Sequence, residues 1–147
     1  MNTDSRAAPA GDPIPPGYVT YADLATTLRA DADLREDPSL AVRVLRESVL
    51  QAEALTDANS LDAFHAEPPL TGHPGWDALF AGVAVFTGSG RVSPGVLDWC
   101  SQPGRISTDL FDPLRIPARY RLLEMLRTPV ALRERNVILA AGNLEGV

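Results

Sequence analysis

The sequence predicts an all-α fold: a compact multi-helix domain preceded by a helical hairpin and a disordered Pro-rich N-terminal arm, with at most one short extended segment near the C-terminus. Three observations carry this. Apolar residues recur at three- and four-residue spacing through most of the chain. Proline stands at the first position of several candidate helices, as in Asp37-Pro38, His73-Pro74, Ser93-Pro94 and Thr128-Pro129. The only run that suits a strand is Val137–Leu139. With 147 residues, 45% of them hydrophobic, the chain can bury one core.

The elements follow in order. Residues 1–17 contain four prolines and little that could pack, which predicts a flexible arm. Residues 20–35 suit a helix capped by Thr20, with Tyr21, Leu24, Ala25, Leu28 and Ala32 on one face. Asp37-Pro38 starts a second helix running to about Leu55. Its Val42, Leu45, Val49 and Ala52 form a short seam that suits an antiparallel hairpin with the first. A short third helix over 57–66 ends at Glu67-Pro68-Pro69. This Pro-rich stretch divides an acidic helical region, 18–67, from a denser domain, 70–147.

In the second region, Pro74 opens a helix that is apolar nearly all round, through Trp76, Leu79, Phe80, Val83 and Phe86. That predicts a central, buried element closed by Gly88-Ser89-Gly90. Ser93-Pro94 predicts another helix, with Val96, Trp99 and Cys100 on one face. Pro117 predicts a helix whose Tyr120, Leu122, Leu123 and Leu126 face inward. Thr128-Pro129 starts the last segment, TPVALRERNVILAAGNL. There Val130 and Leu132 are expected to turn to the core, and Val137–Leu139 to pack on the Trp76–Phe86 helix. Arg133 and Arg135 are expected to reach solvent.

Charge is uneven. Residues 1–68 hold 5 Arg against 12 Asp and Glu, and residues 69–147 hold 8 Arg against 7, for a formal net charge of −6. There is no global attraction to phosphate backbones. Asp31, Asp33, Glu36 and Asp37 cluster at one predicted turn and could meet a basic partner. Arg115, Arg119, Arg121 and Arg127 form the one basic cluster, the place to look for nucleic-acid contacts, although Asp109, Asp112 and Glu124 dilute it. The single cysteine, Cys100, excludes an internal disulfide. No secretory signal and no apolar run of about 20 residues is evident, so a cytoplasmic chain away from membranes is expected.

Catalytic signatures are weak. His65, expected to be partly exposed, and His73 lie eight residues apart, without the further ligands a metal site wants. Cys100 suits core packing better than nucleophilic attack. GSGR at 88–91 follows a helix rather than a strand, so it suits a helix stop with a solvated arginine better than a phosphate loop. No catalytic residue, metal or cofactor is expected.

Residues 71–147 resemble a C-terminal domain of small actinobacterial antitoxins and antitoxin-like regulators. The resemblance is carried by GHPGWDALFAGVA at 72–84, VLDWC at 96–100 and TPVALRERNVILAAGNL at 128–144. It implies a non-catalytic protein that binds and neutralises a cognate toxin, in many family members a nucleotidyltransferase-like enzyme. Asp31, Asp33, Glu36, Asp37, Arg133 and Arg135 are then the expected partner contacts. Family members often carry a helix-turn-helix ahead of this domain, whereas residues 18–66 here suit acidic helices. The alternative is a DNA-binding transcriptional regulator, acting alone or with its partner through Arg115, Arg119, Arg121 and Arg127.

Overall fold

A computed structural model describes residues 13–145. Most of the predicted arm lies outside the described residues. Its last part, 13–17, lies against the body: Ser60 donates its hydroxyl hydrogen to the Pro13 carbonyl (2.5 Å), and Ile14 packs on the core. The described residues form seven α-helices and three short 3-10 turns, joined by loops, with no sheet.

The first predicted helix is split in two. Helix α1 spans Tyr21–Ala30 and helix α2 spans Ala32–Arg35. Thr20 and Asp23 form a capping box at the start of α1. The break falls at Asp31, whose backbone is extended and whose carboxylate accepts from the N–H groups of Asp33 and Leu34. Aspartate competes with the helix for these donors, so it ends one helix and caps the next. Arg35 closes the corner by donating to the carbonyls of Leu28 (2.6 Å) and Arg29 (2.7 Å) at the end of α1. Helix α3, Pro38–Ala54, starts as predicted, with Asp37 accepting from Leu40 N–H, and buries Val42, Leu45, Val49 and Ala52. Helix α4 spans Ala58–Phe64 and is capped by Asp57.

Helix α5, Pro74–Gly88, is the axis of the molecule. It touches α1, α3, the turns at 98–101 and 103–105, and a late helix, α7 (Val130–Arg133). Helix α6, Ala118–Arg127, precedes α7. One cluster of buried residues runs from Tyr21 to Leu144, across the Pro-rich stretch at 67–69. Three glycines let other segments approach α5 closely. A Cβ on Gly75 would lie 2.4 Å from the Phe111 ring, one on Gly82 2.6 Å from a Leu132 methyl, and one on Gly88 2.8 Å from the His65 ring.

Several expectations are corrected. Residues 93–97 form a turn, and only a 3-10 turn at Asp98–Ser101 follows, though Trp99 and Cys100 are buried as expected. His65 is fully buried. Its Nδ1 faces the Leu61 carbonyl (2.7 Å), so that nitrogen carries the hydrogen. Nε2 then accepts from the Thr87 hydroxyl (2.8 Å), which in turn pairs with the Tyr21 hydroxyl (2.8 Å). Arg91 is exposed, as expected of a solvated arginine, but it is also engaged. Its guanidinium donates to the carbonyls of Ala52 (3.2 Å), Leu55 (2.8 Å) and Thr87 (2.9 Å), satisfying the end of α3. The one short extended segment allowed near the C-terminus amounts to a single bridge from Val137 to Phe111, and Val137, Ile138 and Leu139 are buried.

Two outcomes follow from this core. Gly82→Ala must push Leu132 away from α5, so urea unfolding should show a loss of about 1–3 kcal/mol; unchanged stability would mean that the α5–α7 contact has slack. Burial holds the His65 imidazole below its ordinary pKa. The unfolded chain therefore takes up a proton at higher pH than the fold does. The stability tied to this group is complete above the unfolded value, about 6.5, and declines as pH falls below it. Thermal unfolding at pH 7.5 and pH 5 should show that decline, and His65→Gln should flatten it. An equal slope in the variant would assign the effect to other groups.

Candidate docking site

Helix α6 is where the structure departs furthest from expectation. Its predicted inward face points outward: Tyr120 is 49% exposed, Leu122 67%, Leu123 45% and Leu126 67%, and Val130, just beyond, is 57% exposed. No residue of the helix is buried.

Polar bonds fix this orientation. At the foot of the helix, the Asp112 carboxylate accepts from Ile116 N–H (2.8 Å) and lies 3.9 Å from Arg121 Nε. Arg115 sits in the left-handed region, φ 53°, where the chain reverses. On the inner side, Glu124 accepts from Ala140 N–H (2.9 Å) and from the Asn143 side-chain amide (3.3 Å). At the far end, the Thr128 hydroxyl donates to the Glu124 carbonyl (2.8 Å) and accepts from Leu139 N–H (3.0 Å). The glutamate is the group that meets the protein, so the leucines opposite it are left to solvent.

The result is an apolar strip with a one-signed rim. Leu122 and Leu126 lie one turn apart with Leu123 beside them. Arg119, Arg121 and Arg127 are exposed along the helix, and Arg119 lies 4.8 Å over the Tyr120 ring. The only acid of the helix, Glu124, is turned away from the strip and engaged. All four arginines of the predicted basic cluster gather here, with Arg115 at the foot of the helix. The sequence carried one signal of this orientation: Arg119 precedes Leu122, Leu123 and Leu126 by three, four and seven residues, so a charge shares the leucine face.

The predicted acidic contacts lie on a neighbouring corner. Asp31, Asp33, Glu36 and Asp37 are exposed, and none pairs with an arginine among the described residues. Asp31 and Asp37 are also helix caps. Asp31 and Asp33 edge an open depression of about 520 Å³ with Thr26, Thr27, Ala30 and Ala32. Asp37 and Arg115 line a small cleft of about 140 Å³, which sets this corner beside the foot of α6.

The last two predicted contacts separate. Arg133 is exposed as expected. Arg135 is buried, a correction to its expected place at the surface. Its Nε and Nη2 donate to the Cys100 carbonyl (3.2 and 3.0 Å) and its Nη1 to the Ala131 carbonyl (2.7 Å). It ties the C-terminal segment to the turn at 98–101. A second buried arginine, Arg105, lies 4.7 Å over the Trp99 ring and donates to the carbonyls of Pro68 (2.6 Å) and Asp77 (3.3 Å), with Glu67 at 3.6 Å.

Burial pushes the Cys100 thiol up to about 12, so at neutral pH it is a protonated, enclosed packing group. His73 stands at the surface against Phe111, and His65 is closed within the core. Among the described residues, no cluster of three His, Cys, Asp or Glu is arranged to hold a metal ion, and no helix is long and apolar enough to cross a membrane.

No family model, curated protein or solved structure matches this chain.

The two neighbouring arginines should behave oppositely. Arg135→Ala leaves the Cys100 carbonyl without its donors and should cost about 1.5–3 kcal/mol in urea unfolding, whereas Arg133→Ala should change stability by less than about 0.5 kcal/mol. Equal effects would contradict the assignment of Arg135 to the scaffold.

Proposed function

We propose that this chain is a non-catalytic binding protein that docks on a partner enzyme and silences it, as an antitoxin does in a bacterial toxin–antitoxin system, in the cytoplasm. The carrying observation is the outward face of α6. Soluble monomers rarely present several large apolar side chains side by side, and such patches commonly mark protein interfaces. Leucines on a helix held rigidly at both ends can enter a partner's groove with little ordering cost. The resemblance of residues 71–147 to antitoxin domains suggests the class of partner, a toxin enzyme, for many members of that family nucleotidyltransferase-like. Binding of this kind needs shape, an apolar anchor and charge, all of which α6 carries.

Nucleic acid is the weaker partner for the same helix. Leucines lie between the arginines, where a phosphate-binding face would carry further polar donors. The acidic corner at Asp37 adjoins Arg115, and the whole chain is negative.

The test is co-expression with the product of the neighbouring gene. A stable complex and restored growth are expected. Leu122→Asp with Leu126→Asp should weaken the complex by ~100-fold or more and abolish rescue, with the thermal midpoint little changed because both side chains are already exposed. Failure of the wild-type chain to bind or rescue, or full rescue by the double variant, would reject the proposal.

A further inference from the structure

Accepting α6 as the docking face, we infer the chemistry of the surface that receives it: a protein groove with an apolar floor and carboxylate edges. Three observations select this occupant. The strip formed by Leu122, Leu123, Leu126 and Val130 is apolar and exposed, so its counterpart must be apolar at the centre. Arg119 and Arg127 stand exposed beside it, Arg121 is turned to Asp112 and the Ile116 carbonyl, and the helix's single acid is withdrawn to Ala140 and Asn143. The charge presented outward by α6 is therefore all positive, although the chain as a whole carries −6. An acidic rim is the complement that would both attract and orient this helix.

Other occupants fit less well. Pairing α6 antiparallel with α6 of a second copy through the strip would set Arg119 against the other copy's Arg127, like charge against like. A parallel pair would set each arginine against itself. An anionic membrane or a nucleic acid would welcome the arginines. Either would also meet the acidic corner of Asp33, Glu36 and Asp37, because Asp37 lies across a small cleft from Arg115 at the foot of the same helix. A protein groove that ends at the length of α6, about 15 Å for ten residues, engages the helix without reaching that corner.

The inference is tested by photo-crosslinking in the native host. The full-length chain carries Leu126→p-benzoylphenylalanine, with Arg43→p-benzoylphenylalanine on the exposed side of α3 as the background control. The expected product is a crosslink to a different protein, mapped by mass spectrometry to an apolar site bordered by Asp or Glu. Adding Arg119→Glu and Arg127→Glu should cut its yield at least ~10-fold, with the helical circular-dichroism signal unchanged. A crosslink to a second copy of this chain, to lipid or nucleic acid, or to a protein site without carboxylates overturns the inference. So does the absence of any crosslink above the control, or a yield that survives the charge reversal. The outcome is separable from that of the functional proposal. A carboxylate-edged groove on a protein that the chain leaves active keeps the inference and rejects neutralisation. An enzyme that is silenced but crosslinked at a neutral site does the reverse.

Discussion

The fold depends on the close approach of other segments to α5. An apolar helix buried on all sides must be met at several points, and large side chains on both partners would hold the backbones apart. Glycines at 75, 82 and 88 remove that obstacle for Phe111, Leu132 and His65 respectively. Each contact belongs to a different part of the chain: the loop before α6, the helix after it, and the end of α4. Close packing of this kind gives contacts that loosen together rather than one at a time. It also explains how a chain with a Pro-rich interruption at 67–69 forms one continuous core.

Around that axis, polar groups do much of the joining. Arg91 gathers the carbonyls at the end of α3, Arg135 the Cys100 carbonyl, and Arg105 those of Pro68 and Asp77. Guanidinium groups suit this task because one rigid fork serves several acceptors while its charge persists through partial burial. Three arginines that sequence alone would spread over the surface are thus partly or wholly committed to loops that lack regular hydrogen bonding. Arg119 and Arg127 of α6 stay exposed and give the docking face its sign.

The same arrangement separates scaffold from surface in α6. Glu124 and Thr128 bind the segment 139–143, and this fixes which side of the helix faces inward. Helical periodicity groups Leu122, Leu123 and Leu126 on one face, but it contains no statement about what lies opposite. The unmet N–H of Ala140 and the side-chain amide of Asn143, distant in sequence, recruit the glutamate instead.

What the sequence determined by itself was local. Asp37-Pro38 and His73-Pro74 fix the starts of α3 and α5 because capping and the proline ring act within one turn. The seam of α3 and the all-round apolarity of α5 also identify buried faces without knowledge of partners. The tertiary structure alone decided the rest. It split the first helix at Asp31, reduced the Ser93-Pro94 segment to a turn, buried His65 and Arg135, and turned the leucines of α6 to solvent. Each of these outcomes rests on a hydrogen-bond partner or a packing space supplied by residues that spacing along the chain does not reveal, or on a local competition between side chain and backbone that propensity leaves evenly balanced. The docking face is therefore composed by the sequence of α6 and aimed by Ala140, Asn143 and Leu139.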